Sequence, residues 1–195
     1  EEQSYELEKN KLIASLGRSA WSKLDETSKT FLISAKVMFN NLIKLEDSID
    51  YSGVCLLITK ALEVEMNKRF CRQYLDYLYE LYNDNYVEYP TYLLGANGKP
   101  LALEKFTMGS FAFILCCYVK KGDTASQLKK NKRLLINYAS ERIFSSRQIS
   151  EIETMLSSYA NQIEDIRIRF RNPAAHTNQI TRCDAESCFN LVLDV

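Results

Sequence analysis

The chain contains one histidine, and it stands five residues after an arginine in the stretch Ile166-Arg167-Ile168-Arg169-Phe170-Arg171-Asn172-Pro173-Ala174-Ala175-His176. Three arginines alternate over five positions at the predicted end of a long helix. The partial negative charge of a helix C-terminus suits cations there. Pro173 and two alanines separate Arg171 from His176, a short and sterically open turn from which both side chains could reach one cleft. This pairing of residue types suits RNA cleavage. Imidazole gives or takes a proton near neutral pH. Guanidinium holds a phosphate with two parallel donors and stabilises the charge that develops on it. The ribose 2′-OH would attack, so the chemistry needs no metal or other cofactor. One histidine cannot easily be base and acid at once, and a symmetric dimer would bring two such sets side by side. The competing reading gives Arg171 a helix-capping role and makes His176 a local turn residue.

Other candidates are more diffuse. Lys129, Lys130, Lys132, Arg133, Arg142 and Arg147 could line an RNA path, together with Arg167 and Arg169. Phosphate contacts of this kind give affinity without sequence preference. A solvated helix face explains the same charges equally well. Glu63 and Glu65 interrupt an apolar stretch, and a carboxylate facing the interior there would need an arginine partner such as Arg167, Arg169 or Arg171. The tyrosines between Tyr74 and Tyr89 read as packing. Gly95-Ala96-Asn97-Gly98 is a turn and no phosphate cradle. No Ser-His-Asp set or metal-ligand cluster is legible.

Length and composition bound these readings. With 195 residues, 46% hydrophobic and 26% charged, the chain is an ordinary globular one. Six glycines and three prolines exclude turn-rich β architectures. Net charge is zero, yet residues 118–182 hold 12 basic against 6 acidic residues. Six cysteines include no CxxC pair and sit mostly in apolar surroundings, where a thiol acts as a small hydrophobe. They suggest a reducing, cytoplasmic setting. No apolar run approaches the roughly 20 residues of a membrane span. The chain begins Glu-Glu and ends in the apolar pattern Leu-Val-Leu-Asp-Val, as expected of a domain from a longer protein.

Helical periodicity dominates. A first helix is expected from about Tyr5 to Leu16, ending at Gly17. Phe31, Ala35, Met38, Leu42 and Leu45 then trace one helical stripe, capped by Asp25 or Thr27. A helix of nearly 30 residues follows Asp50, with Val54, Ile58, Ala61, Leu62 and Glu65 on one face and then Phe70, Tyr74, Tyr77, Leu78 and Leu81. Asn83-Asp84-Asn85 ends it. Residues 86–105 read as a small hairpin or ordered loop around Asn97-Gly98, with Pro100 demoting its second arm. Further helices are expected from Thr107 to about Tyr118, from Ser126 to Ile143, and from Arg147 to Phe170 after a cap at Ser145 or Ser146. Lys121-Gly122-Asp123 separates the first two, and Pro173 breaks or kinks the third. A last helix is capped near Asp184. The fold class is all-α, a bundle of six or seven helices in a single domain over 1–195.

The order Arg171, Asn172, then His176 resembles the Rx4–6H motif of the HEPN superfamily, written R-N-x-x-x-H. The motif lies late in a helical chain, as in that family, and Lys60 to Glu65 looks like its bundle helices. The resemblance covers residues 27–195 with 86–105 as an insertion. It implies a metal-independent endoribonuclease of a bacterial antiphage, abortive-infection or toxin system, working as a homodimer through the motif face. Arg171 and His176 would be catalytic, and Asn172 would orient the site. Partners would be RNA, further domains of a parent chain or an inhibitory protein, with no membrane. Toxins silenced by nucleotidyl transfer often carry a tyrosine two residues after the histidine, whereas Asn178 stands there in this chain. Some members are non-catalytic, which leaves a dimerisation, partner-binding or nucleotide-sensing domain as the alternative.

Overall fold

Apolar residues three and four apart dictate helices along most of the chain, and a computed structural model describes residues 2–45, 49–116, 124–176 and 179–194. The chain is all-α. Among the described residues there are eight helices: α1 (Glu2–Leu16), α2 (Arg18–Lys23), α3 (Glu26–Leu42), α4 (52–82), α5 (Met108–Leu115), α6 (125–143), α7 (149–175) and α8 (Arg182–Asp194). Short α2, set off by Gly17 at φ +82°, is the one the sequence pattern does not announce. Three helices contain a five-residue π turn: Asn67–Cys71 in α4, Ala139–Ile143 in α6 and Arg167–Arg171 in α7. No helix among the described residues is long and apolar enough to cross a membrane.

The chain divides into two compact units, one formed by Glu1–Glu65 with Asp165–Val195 and the other by Met66–Glu164. In the first, Leu12, Trp21, Leu32, Ile33 and Ala61 form one buried cluster. Asp25 caps α3 by accepting the Thr27 N–H at 2.9 Å, as expected. The Asp25 N–H donates to Glu65 Oε1 at 2.7 Å, which ties the start of α3 to α4. The buried face of α3 is Ser28, Leu32, Ile33, Ala35 and Phe39, with Met38 40% and Leu45 61% exposed. Of the expected stripe through Phe31, Ala35, Met38, Leu42 and Leu45, Ala35 is buried, and the buried face as a whole is rotated from that stripe by about one residue. Two apolar stripes lie side by side on this helix, and packing against α1 and α4 decides between them. Phe39 meets Tyr51 at 5.7 Å and the edge of Phe189 at 5.9 Å. Cys55 and Cys188 are buried together; a hydrogen bond between them, then desolvation, drives the Cys188 thiol pKa far up.

The second unit is centred on aromatics. Tyr138 is fully buried and lies 5.0 Å from Tyr74, 5.6 Å from Tyr77 and 5.8 Å from Phe70. Aromatic pairs of this geometry contribute about 0.5–1.5 kcal/mol each beyond area burial. Burial raises the Tyr138 hydroxyl pKa and, with Glu141 beside it, takes Tyr77 to about 12. Residues 86–105 form short 3-10 turns and one isolated antiparallel bridge, Leu94 to Pro100, around a turn with Gly98 at φ +69°. This is the ordered loop of the two forms expected, since Pro100 supplies no donor to extend a ladder. Asn67 Nδ2 donates to the Phe106 carbonyl at 3.1 Å and fixes its far end. Thr107 caps α5 in a capping box with Ser110. The expected extension to Tyr118, the Lys121-Gly122-Asp123 break and Cys117 lie outside the described residues. Thr124, with Gln127, caps α6.

Two helix starts differ from expectation. Ser145 and Ser146 lie in the turn before α7, which begins at Ile149. Thr181 caps α8, and Asp184 is its reciprocal partner: the Thr181 N–H donates to Asp184 Oδ2 at 3.1 Å, and the Asp184 N–H to Thr181 Oγ1 at 3.2 Å. Either Thr or Asp can cap, and only backbone geometry shows which residue stands outside the helix.

Asp50 anchors the segment that leads into α8. Its Oδ1 accepts the Ile180 N–H at 2.9 Å, the Ser52 N–H at 3.1 Å and the Ser52 hydroxyl at 2.7 Å. Desolvation pushes the Asp50 pKa up, and the three hydrogen bonds outweigh it and hold the group below its ordinary value. A depressed folded pKa gives stability that is complete above the unfolded value, about 3.9, and is lost as pH falls through the folded one. Asp50→Ala should cost about 1–2 kcal/mol near neutral pH, the low end for a charged acceptor because this carboxylate is exposed. The cost should shrink below about pH 4, read from urea unfolding across pH. Phe170 is fully buried in the π turn of α7. Phe170→Ala should destabilise by about 3–5 kcal/mol in the same assay.

Candidate functional site

Pro173 sets the local geometry of the Arg/His stretch. It has no N–H to give, and in a regular helix its ring would clash with the carbonyl four residues back. The helix widens just before it: the Asn172 N–H reaches the Arg167 carbonyl, five residues back, in place of the usual four. One more short turn, Asn172–Ala175, then completes α7. The expected break at Pro173 is thus a π turn, with the helix ending only at His176. There the backbone is extended (φ −119°, ψ −155°), and the His176 N–H closes the turn on the Pro173 carbonyl at 3.1 Å.

The side chains of this segment are accessible to different degrees. His176 is exposed, and its ring makes no hydrogen bond or ion pair among the described residues. Arg171 keeps 34% of its side-chain surface exposed, and its Nε lies 3.8 Å from Glu63 Oε1. That is the carboxylate–arginine pairing expected for Glu63, but it is longer than a hydrogen bond. Among the described residues, the Arg171 guanidinium makes no hydrogen bond. Asn172 is half-buried, and its side-chain amide makes no hydrogen bond among the described residues. Arg169 pairs with Asp165 at 2.9 Å and lies 4.8 Å from the Phe170 ring centroid. Both members of that pair are about half exposed, so it contributes little. Arg167 is half-buried. Arg167, Arg169, Arg171, Asn172 and His176 all belong to the first unit; Asn178 lies outside the described residues.

The lysine and arginine cluster of α6 belongs to the second unit. Lys129, Lys130, Lys132 and Arg133 line an open groove of about 630 Å³, with buried Ile136 and exposed Ile149 also in its lining. A hollow of about 310 Å³ continues from it, sharing Lys132, Ile136 and Glu153 and reaching Leu156 and Ser157. Lys130 pairs with Glu88, and Lys132 with Glu153 at 3.2 Å. Lys129 and Arg133 make neither hydrogen bond nor ion pair among the described residues. Arg142 lies apart, paired with Glu80 and 6.0 Å from the Tyr77 ring. Arg147 is exposed in the turn before α7.

Sequence reasoning singled out the cations but missed the groove. Ile149, at the start of α7, is 60% exposed and forms part of the groove wall. Sequence reasoning also missed Asp50, whose Asp-x-Ser spacing with Ser52 is a legible turn signal. Among the described residues, no three His, Cys, Asp or Glu side chains converge as a metal site would require. No family model, curated protein or solved structure matches the chain.

Proposed function

We propose that this chain is an endoribonuclease domain in which Arg171 and His176 act on one phosphodiester. The observation that carries the reading is their setting. An accessible imidazole and a largely uncommitted guanidinium flank a single short helical turn. A purely structural arginine would be expected to spend its donors on protein acceptors. In the proposed reaction the ribose 2′-oxygen attacks phosphorus, and the bond to the 5′-oxygen breaks. The 2′-proton leaves to a base, and the departing 5′-oxygen takes one up. The products are a 2′,3′-cyclic phosphate and a 5′-hydroxyl. His176 moves the proton, Arg171 holds the non-bridging oxygens as charge builds, and Asn172 offers a neutral donor beside them. A single imidazole cannot hold and lack a proton at the same moment. We therefore take the working form to be a homodimer through this face, in line with the HEPN resemblance of the motif.

His176→Ala should lower cleavage of single-stranded RNA in EDTA by at least about 100-fold, and Arg171→Ala by about 100- to 1,000-fold. Both should leave the melting temperature within a few degrees, since neither side chain is buried. Arg171→Lys should recover only part of the loss, because an ammonium cannot form the two-pronged contact. Specific activity should also rise with protein concentration through the range where sedimentation shows monomer giving way to dimer. Wild-type chain that leaves RNA intact, with variants that change melting or oligomeric state, would instead mark a non-catalytic dimerisation, partner-binding or nucleotide-sensing domain.

A further inference from the structure

The groove on α6 has features that its role as a helix face does not explain. Ser126, Lys129, Arg133 and Asn137 follow one another at intervals of three and four residues, so they form a single row along the helix. Successive members stand about one helical turn, roughly 5.4 Å, apart. Lys129 and Arg133 are like charges at i and i+4, an arrangement that destabilises a helix by a few tenths of a kcal/mol. Each has no acidic partner among the described residues, while neighbouring Lys130 and Lys132 both have one. Beside the row lies apolar surface from the exposed Ile149, with Ile136 buried next to it. The groove is open and continues into the second hollow past Lys132. A compact anion would be served by cations converging on one point. A row of donors, with apolar surface alongside and an open continuation, matches an elongated anion with flat apolar groups at regular intervals.

We infer that this groove binds the backbone of a single-stranded nucleic acid, with Lys129 and Arg133 on successive phosphates and a base lying against the exposed Ile149. RNA and DNA single strands share this chemistry; the choice of RNA rests on the function proposed above, and the groove itself does not depend on it. Lys130 and Lys132 would exchange their carboxylate partners for phosphate only in part, so the two unpaired cations carry most of the salt dependence.

The test is fluorescence anisotropy with the full chain carrying His176→Ala, so that bound strand stays intact. The probes are a short oligouridylate, an oligothymidylate of equal length, and ATP as competitor. Binding of single strands to phosphate-contacting cations weakens with salt at a logarithmic slope of about −0.7 per contact. Lys129→Gln with Arg133→Gln should therefore reduce the magnitude of the slope by about 1.4 and weaken binding at least tenfold at low salt. Both side chains are exposed and unpaired among the described residues, so the double variant should melt no lower than the parent. Lys99→Gln with Lys105→Gln, exposed in the 86–105 loop, should change neither quantity. The inference is overturned if the double variant keeps the parent's affinity and slope, if the parent binds neither oligonucleotide at low salt, or if ATP displaces strand as effectively as unlabelled oligonucleotide does. Preference for oligouridylate over oligothymidylate supports RNA as the ligand, and equal binding supports the shared backbone chemistry. Failure here is separable from failure of the cleavage mechanism. A wild-type chain that cuts RNA while groove variants bind normally loses only the groove. A chain that binds strand through Lys129 and Arg133 without cutting it loses only the nuclease.

Discussion

A helix that meets a proline must give up a hydrogen bond, and the geometry around His176 follows from how α7 meets Pro173. The missing N–H and the ring would together break a regular turn. The chain instead inserts one extra residue into the turn before, so the Asn172 N–H bonds the Arg167 carbonyl. A π turn is intrinsically poorer than an α turn. It is held here by Phe170, a fully buried residue of the turn, whose burial stabilises by about 1.5–3 kcal/mol. The same insertion carries all three arginines. It puts Phe170 inward, leaves Arg169 half exposed over the Phe170 ring, and brings Arg171 to within reach of Glu63. Packing of Phe170 and exposure of the arginines are thus two results of one backbone adjustment.

The other end of the segment is fixed independently. Ile180 is buried, its N–H bonds Asp50, and its carbonyl accepts the Tyr51 N–H at 3.0 Å. These two hydrogen bonds tie the entry to α8 to the start of α4. The residue that closes α7 by donating to the Pro173 carbonyl is His176 itself. Its backbone is held by that bond while its ring stays exposed and makes no hydrogen bond or ion pair among the described residues, the fixed anchor and accessible side chain that the proposed proton transfer requires.

Much of this was legible in the sequence, and the misses have physical causes. Helix existence and the long α4 followed from 3.6-residue periodicity, while the Asp25 cap and the Glu63–Arg171 pair were each one of several alternatives the sequence offered. The face of α3 was not legible, because Phe31 and Met38 offer one apolar stripe and Leu32 and Phe39 another, one residue apart. Periodicity alone cannot choose between them. The π turns leave no trace in the spacing: Leu62, Met66 and Phe70 keep intervals of four across the turn in α4, and Ile166, Phe170 and Ala174 do so across the turn in α7. There the proline is the only signal, and it marks a disturbance without saying whether the helix stops or widens. The groove of α6 was illegible for a different reason. Its cations are local in sequence, but Ile149 and Glu153 come from another helix, and an open cleft is a property of packing.

Net charge shows the same separation between what stability requires and what chemistry uses. A total of zero says nothing about local fields, because charges are screened beyond about 10 Å at ordinary salt. Within that range α6 places Lys129 and Arg133 together at a cost of tenths of a kcal/mol. Its opposite face buries Leu134, Leu135 and Tyr138, each contributing about 1.5–3 kcal/mol or more. The burial outweighs the repulsion several-fold, so the helix forms whatever charges its outer face carries. Stability therefore leaves that face unconstrained, and composition could drift there toward any mixture of signs. Two neighbouring cations without acidic partners among the described residues, on a helix whose other two lysines nearby both have them, are a departure that folding does not ask for. The same holds for a largely uncommitted guanidinium five residues before the only imidazole in the chain.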